Sequence, residues 1–201
     1  MTPRRPDTRT LVVGLTGASG VRYGLSLLGN ISLARRVYDK VYVVYTGNAA
    51  AVARLEEGVE LPEYLARLGG LDGVYPSSDL SSDIASSSNL VSTDMVVVPA
   101  SMSTIAKIAH GIQDNLLTRV ALGVLRLRNK LVLVPRETPL SPVDLRNLYE
   151  LSLMGAVVVP AMPAFYIKPK SVDDMVLFVV GKILDALGVE HSLYRRWSPG
   201  G

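Results

Sequence analysis

Five short runs of β-branched and aliphatic residues recur along this chain: residues 11–15 (LVVGL), 41–45 (VYVVY), 95–98 (MVVV), 131–134 (LVLV) and 156–159 (AVVV). None alternates apolar with polar residues, so each reads as a strand covered on both faces. Helical periodicity fills the intervals, at about residues 20–36, 49–57, 104–110, 115–127, 142–154 and 172–187. Ser141 before Pro142, with Asp144 beyond, marks one helix start. Ser171 before Asp173 and Asp174 marks another. The alternation predicts an α/β fold: one domain, a doubly wound (Rossmann-like, flavodoxin-like), mostly parallel sheet with helices on both faces. Right-handed crossovers then bring the C-terminal end of every strand to one edge, where ligands bind.

Residues 61–89 read as the irregular part. Within them, residues 77–89 carry seven Ser, either as a flexible linker or as a polar loop lining a ligand crevice. Residues 1–9 read as a mobile basic tail, 10–197 as the folded domain and 198–201 as a C-terminal tail. At 201 residues and 48% hydrophobic composition, the chain can bury one sizeable core without a staple.

Composition excludes several chemistries. No Cys is present, which removes disulfides, thiolate metal sites and a Cys nucleophile. His110 and His191 are the only histidines, too few for a multi-His metal centre, so no metal is expected. The net charge of +3 comes from the termini: without Arg4, Arg5, Arg9, Arg195 and Arg196, 16 basic residues face 18 acidic ones. A nucleic-acid surface is therefore not expected. The uncharged stretch at residues 154–167 has 14 residues and contains Pro160 and Pro163, whereas a spanning helix needs about 20. No membrane association is expected. No apolar run precedes Leu11, so the expectation is a soluble cytoplasmic protein.

The chemistry-bearing motifs fall at the strand ends. Gly14-Leu15-Thr16-Gly17-Ala18-Ser19-Gly20 follows the first strand: glycines for a close backbone turn, hydroxyls, and a helix start whose free N–H groups suit an anion. It is neither a GxGxxG nor a Walker loop, and a plain tight turn is the alternative. Ser101-Met102-Ser103-Thr104 repeats the theme after the 95–98 strand, with ordinary helix capping as its alternative. Arg136-Glu137, between Pro135 and Thr138-Pro139, puts a cation and a carboxylate at the end of the 131–134 strand. Arg136 suits a phosphate or carboxylate; Glu137 is a structural partner or a proton-transfer group. Tyr166 offers an apolar ring with a hydroxyl tip after the last strand. By spacing alone, Arg119 and Arg126 read as solvent-facing.

In order, TGASG with Tyr23-Gly24, PASMST, DNLLTR, LVLVPRETPL, GAVVVPAMPAFY, Lys182-Ile183-Leu184-Asp185 and Arg196-Trp197 resemble the UbiX-type flavin prenyltransferases over almost the whole chain. The resemblance implies an enzyme that joins a dimethylallyl group, from dimethylallyl phosphate, to N5 and C6 of reduced FMN without a metal. It also implies a homododecamer with shared sites and a UbiD-type decarboxylase as recipient of the prenylated FMN. By the same resemblance Gly17, Ala18, Ser19, Ser101, Met102, Ser103, Thr104 and Arg136 bind the flavin. Glu137, Ser19 and Glu57 serve catalysis. Tyr166, Lys182, Arg119 and Arg126 bind the prenyl phosphate, the arginines partly from neighbouring subunits.

The sequence also departs from the family pattern. Gly47-Asn48-Ala49-Ala50 stands where many members have Ser-Lys-Ala-Ala, so a flavin-contacting hydroxyl is lost unless Thr46 replaces it. Ser87-Ser88-Asn89 stands for Ser-Gly-Ser, no Trp precedes it, and Lys182 stands for an Arg seen in some relatives. Two other readings share the fold: an FMN-dependent cysteine-peptide decarboxylase, which uses a catalytic His and commonly a Cys, and a non-catalytic flavin-binding subunit.

Overall fold

A computed structural model of the chain describes residues 8–198. Six parallel strands form one sheet: β1 (Thr10–Leu15), β2 (Lys40–Tyr45), β3 (Gly73–Pro76), β4 (Thr93–Ala100), β5 (Leu131–Pro135) and β6 (Val157–Val158). Their order is β3-β2-β1-β4-β5-β6, the doubly wound arrangement whose winding reverses between β1 and β4. The helices are α1 (Val21–Gly29), α2 (Ile31–Ala34), α3 (Gly47–Glu57), α4 (Leu61–Arg67), α5 (Met102–Ala109), α6 (Leu116–Arg126), α7 (Pro142–Leu153) and α8 (Val172–Leu187).

Strand alternation divides the core into two layers. Leu11, Val13 and Leu15 of β1, Val96 and Val98 of β4, and Val132 and Val134 of β5 pack with α1 and α8. Val12, Met95, Val97, Leu131 and Leu133 point the other way, onto α5 and α6. Both faces are covered, which is why the strand sequences are apolar throughout.

The expected boundaries need four corrections. Residues 61–89 are not irregular: they hold α4, β3 and two 3-10 turns, Asp83–Ala85 and Ser87–Leu90. Composition does not mark β3, a four-residue edge strand, half-buried and closed by Pro76, without a long apolar run. The helix expected over 20–36 breaks at Asn30, whose side-chain amide donates to the Ser26 carbonyl (2.8 Å). β4 is longer than expected, eight residues all buried. β6 shrinks to two residues at the other edge.

Of the expected N-terminal tail, residues 1–7 lie outside the described residues, as do 199–201 of the C-terminal one. Arg9 is joined to the domain: its N–H donates to Asp39 (2.7 Å) and its guanidinium lies 4.9 Å over the Tyr38 ring. No described helix is long and apolar enough to cross a membrane.

Candidate active site

Three strand ends meet at the point where the winding reverses, and Thr16 ties two of them together. Its hydroxyl donates to the Pro99 carbonyl (2.7 Å) and accepts the Ser101 N–H (2.8 Å), so the β1 and β4 loops are cross-linked. Thr16 is 1% exposed, which leaves no water to replace either bond. Thr16→Val would strand a carbonyl and an N–H, and is expected to lower stability by about 1–2 kcal/mol in urea unfolding. Gly17 is required for a third loop to close on these two. A Cβ there would sit 2.3 Å from Asn48 Cβ at the start of α3.

The result is a cleft of about 370 Å³ lined by Thr16, Gly17, Thr46, Asn48, Ser101, Ser103, Thr104, Lys107 and Asn115, among others. Local capping builds its walls. Ser101 caps α5 by accepting the Thr104 N–H (3.3 Å), Thr46 caps α3 by accepting from Ala49 (3.1 Å), and Asn115 caps α6 by accepting from Thr118 (3.1 Å). The α5 start adds backbone donors directed outward. The lining is rich in hydroxyl and amide groups and includes no carboxylate. Such a donor set fits the phosphate end of a nucleotide like FMN.

Of the residues expected to bind flavin, Gly17, Ser101, Ser103 and Thr104 line this cleft. Ala18 is buried and Met102 packs against the second core layer, so these two position the loops rather than line the cavity. Ser19 is half-buried in the β1–α1 loop. Thr16, Thr46, Gly47, Asn48, Ser77, Lys107 and Asn115 complete the lining. Thr46 thus places a hydroxyl beside Gly47, where the usual Ser is absent. Lys107 was not legible as a site residue because its place depends on α5 packing; its ammonium pairs with Asp114 (2.5 Å).

Arg136 and Glu137 follow β5 on the same rim, where the Arg136 N–H meets the Ala100 carbonyl at 3.4 Å. The Arg136 side chain reaches the β1–α1 loop, its Cγ 4.0 Å from the Cβ position on Gly20. Burial pushes the neighbouring Tyr23 hydroxyl upward in pKa, and the Arg136 charge opposes that shift. Glu137 is exposed, with one carboxylate oxygen accepting the Thr138 N–H (3.0 Å).

Glu57 is engaged in an ion pair. Arg22 grips it through Nε (3.0 and 3.1 Å) and Nη2 (3.0 Å), locking α3 to α1. Its neighbour Glu56 is the carboxylate that meets the β1–α1 loop, accepting the Gly20 N–H at 2.8 Å. The two differ by about 100° around the helix, so neighbouring residues meet different surroundings. Glu56→Gln is expected to reduce turnover about tenfold through loss of a charge-assisted bond. Glu57→Gln is expected to leave turnover within about twofold, because it touches only the α1–α3 ion pair. Steady-state rates of the two variants decide between them.

Tyr166 and Lys182 come together on Phe178. The Tyr166 ring meets it edge-on at 5.9 Å, and the Lys182 ammonium lies 5.5 Å from its centroid. The two other cations do not join them within one protomer. Arg119 donates from Nε to the Ala85 carbonyl (2.7 Å). Arg126, seven residues on and about 10 Å further along α6, borders a separate cavity with Arg128, Leu153 and Met154. In the segment that carries Tyr166, Met162 (68% exposed) and Phe165 (76%) present apolar side chains to solvent, as does Trp197 (67%) near the C-terminus.

A family model described as Flavoprotein matches residues 2–184. The flavin prenyltransferase UbiX of Saccharolobus solfataricus is 39% identical over 195 residues, covering 96% of this chain and 94% of its own. The chain is a member of the UbiX flavin prenyltransferase family. Two crystal structures of UbiX-type proteins superpose closely. AnUbiX (PadA1), in complex with FMN and dimethylallyl pyrophosphate, has a TM-score of 0.87 at 36% identity, covering 96% of this chain and all of its own. The dodecameric FMN-dependent UbiX-like decarboxylase of Escherichia coli O157:H7 scores 0.85 at 40% identity, with 94% and 99% covered. UbiX membership therefore spans both the sheet and its loop-bearing rim.

Proposed function

We propose that this chain transfers a dimethylallyl group from its phosphate ester to reduced FMN, yielding prenylated FMN. The observation that carries the reading is the convergence of three capped loops on a donor-rich cleft with Arg136 beside it. Ser101, Ser103, Thr104 and the α5 N-terminus would hold the flavin phosphate, and Gly17 lets the loops close on it. Arg136 would contact the flavin near Gly20. Reduced FMN supplies two nucleophilic atoms, N5 and C6.

The chain's residues manage charge and protons around those atoms. Tyr166 and Lys182 would hold the leaving phosphate as its charge grows, which replaces a metal in that role. Glu137 and Ser19 would move the proton that C6 must lose. Met162, Pro163, Ala164 and Phe165 would exclude water from a cation-like allylic carbon.

The site is completed by other copies of the chain. Met162 and Phe165 leave apolar side chains in solvent in the same segment as Tyr166, which supports assembly as a homododecamer that brings Arg119 and Arg126 of neighbours to the phosphate. The product would pass to a UbiD-type decarboxylase in the cytoplasm. A cysteine-peptide decarboxylase is not favoured: Cys is absent, and His110 is the exposed C-cap of α5.

Incubating the protein anaerobically with FMN, a reductant and dimethylallyl phosphate tests the reading. Mass spectrometry should show a flavin heavier by one prenyl unit. No mass gain with either the phosphate or the pyrophosphate ester overturns it.

A further inference from the structure

The segment after α8 folds back onto that helix and surrounds Lys182. Gly188 ends α8 with φ at 78°, and the chain returns so that His191 and Tyr194 lie against Gly181. A Cβ on Gly181 would sit 2.4 Å from the Tyr194 ring and 2.7 Å from the His191 ring, so only glycine admits both. Asp185 is the hub of this segment. It accepts the Tyr194 hydroxyl (2.5 Å), His191 Nε2 (3.2 Å) and Arg196 Nη2 (2.7 Å). His191 Nδ1 accepts the Leu193 N–H (3.1 Å), which leaves the proton of the neutral ring on Nε2, aimed at Asp185.

The Lys182 ammonium lies 4.9 Å from the Tyr194 centroid, 5.5 Å from the Phe178 centroid and 3.9 Å from Asp185. We propose that Tyr194 and Asp185 are positioning residues, which brace the Lys182 ammonium beside Tyr166 to receive the phosphate of the prenyl ester. The proposal rests on the prenyl-transfer reading above.

A lysine needs such a brace. Its ammonium is a point charge on a flexible four-carbon stem, whereas an arginine fork is already shaped for a phosphate. Two aromatic faces and one carboxylate fix the ammonium from three sides. Arg196 neutralises Asp185, so the Lys182 charge remains available to an anion. Burial alone would raise the Asp185 carboxyl; the hydrogen bonds from Arg196 and Tyr194 outweigh it and hold the carboxyl below its ordinary range. Lys182 is held above the ordinary lysine range, first by the Tyr194 hydroxyl, against the opposing effect of burial.

Tyr194→Phe removes the hydroxyl and keeps the ring. With reduced FMN bound, KM for dimethylallyl phosphate is expected to rise about tenfold, with kcat and FMN affinity within about twofold. Asp185→Asn should move KM the same way. A second readout needs no substrate: the pH dependence of Lys182 acetylation, followed by mass spectrometry, should shift downward in Tyr194→Phe. An unchanged KM overturns the proposal, even if the melting temperature falls, since that leaves only a structural role. If the wild-type protein does not prenylate FMN, the prenyl-transfer reading fails. The acetylation profile then decides the bracing alone, and an unshifted profile overturns it.

Discussion

Glu137→Gln is expected to slow prenyl transfer by about 10²- to 10⁴-fold, the usual contribution of a positioned acid–base group, while FMN affinity stays within about twofold. Glutamine keeps the shape and the acceptor oxygen that takes the Thr138 N–H at 3.0 Å, so the turn after β5 should be preserved. It removes the carboxylate's capacity to take up a proton. Flavin holding rests on other groups: the cleft of Gly17, Ser101, Ser103 and Thr104, with Arg136 beside it. The variant therefore separates proton handling from binding. Single-turnover kinetics with fluorescence titration of FMN measures both quantities. An unchanged rate removes Glu137 from the reaction and leaves Ser19 or the released phosphate to carry the proton. A rate loss matched by lost FMN binding would assign Glu137 to flavin holding instead.

The largest effect on stability is expected at Gly24, in the middle of α1. A Cβ there would sit 2.5 Å from Leu15 Cδ2 and 2.6 Å from the carbonyl oxygen of Val98. The side chain can turn away, but the carbonyl belongs to the fully buried strand β4 and cannot. Gly24→Ala must therefore push α1 off the sheet, at a cost of about 2–3 kcal/mol. The control is Gly29→Ala at the end of the same helix. Nothing lies within 4 Å of its Cβ position, so a gain of a few tenths up to about 1 kcal/mol is expected from helix propensity. Urea unfolding at one fixed protein concentration measures both, because assembly makes the midpoint concentration-dependent. A neutral Gly24→Ala would mean that α1 does not rest directly on β4. Loosening α1 also moves Gly20 and Ser19, so FMN binding should weaken with stability.

These residues show why some features were legible from sequence and others were not. Strands buried on both faces announce themselves by composition, and five of the six were placed from it. Their C-terminal ends follow from connection handedness, which by itself puts the TGASG, PASMST and PRETP segments on one rim. Helix starts at Ser141 and Ser171 are visible too, since a cap is a contact between residues three apart.

Contacts between distant segments had no such signature. The choice between Glu56 and Glu57 depends on the rotation of α3 against the β1–α1 loop, which Arg22 and Gly20 set from 35 and 36 residues away. The folding of Tyr194 and His191 onto Gly181 is equally non-local. Separation of Arg126 from Tyr166 reflects the length of α6, which carries the chain from the rim back toward the opposite edge. Local chemistry, repeated along the chain, thus determined the sheet, its ligand edge and the residue types gathered there. Only the tertiary structure decided which of those side chains meet, because packing rotations of helices on the sheet are set by the whole core.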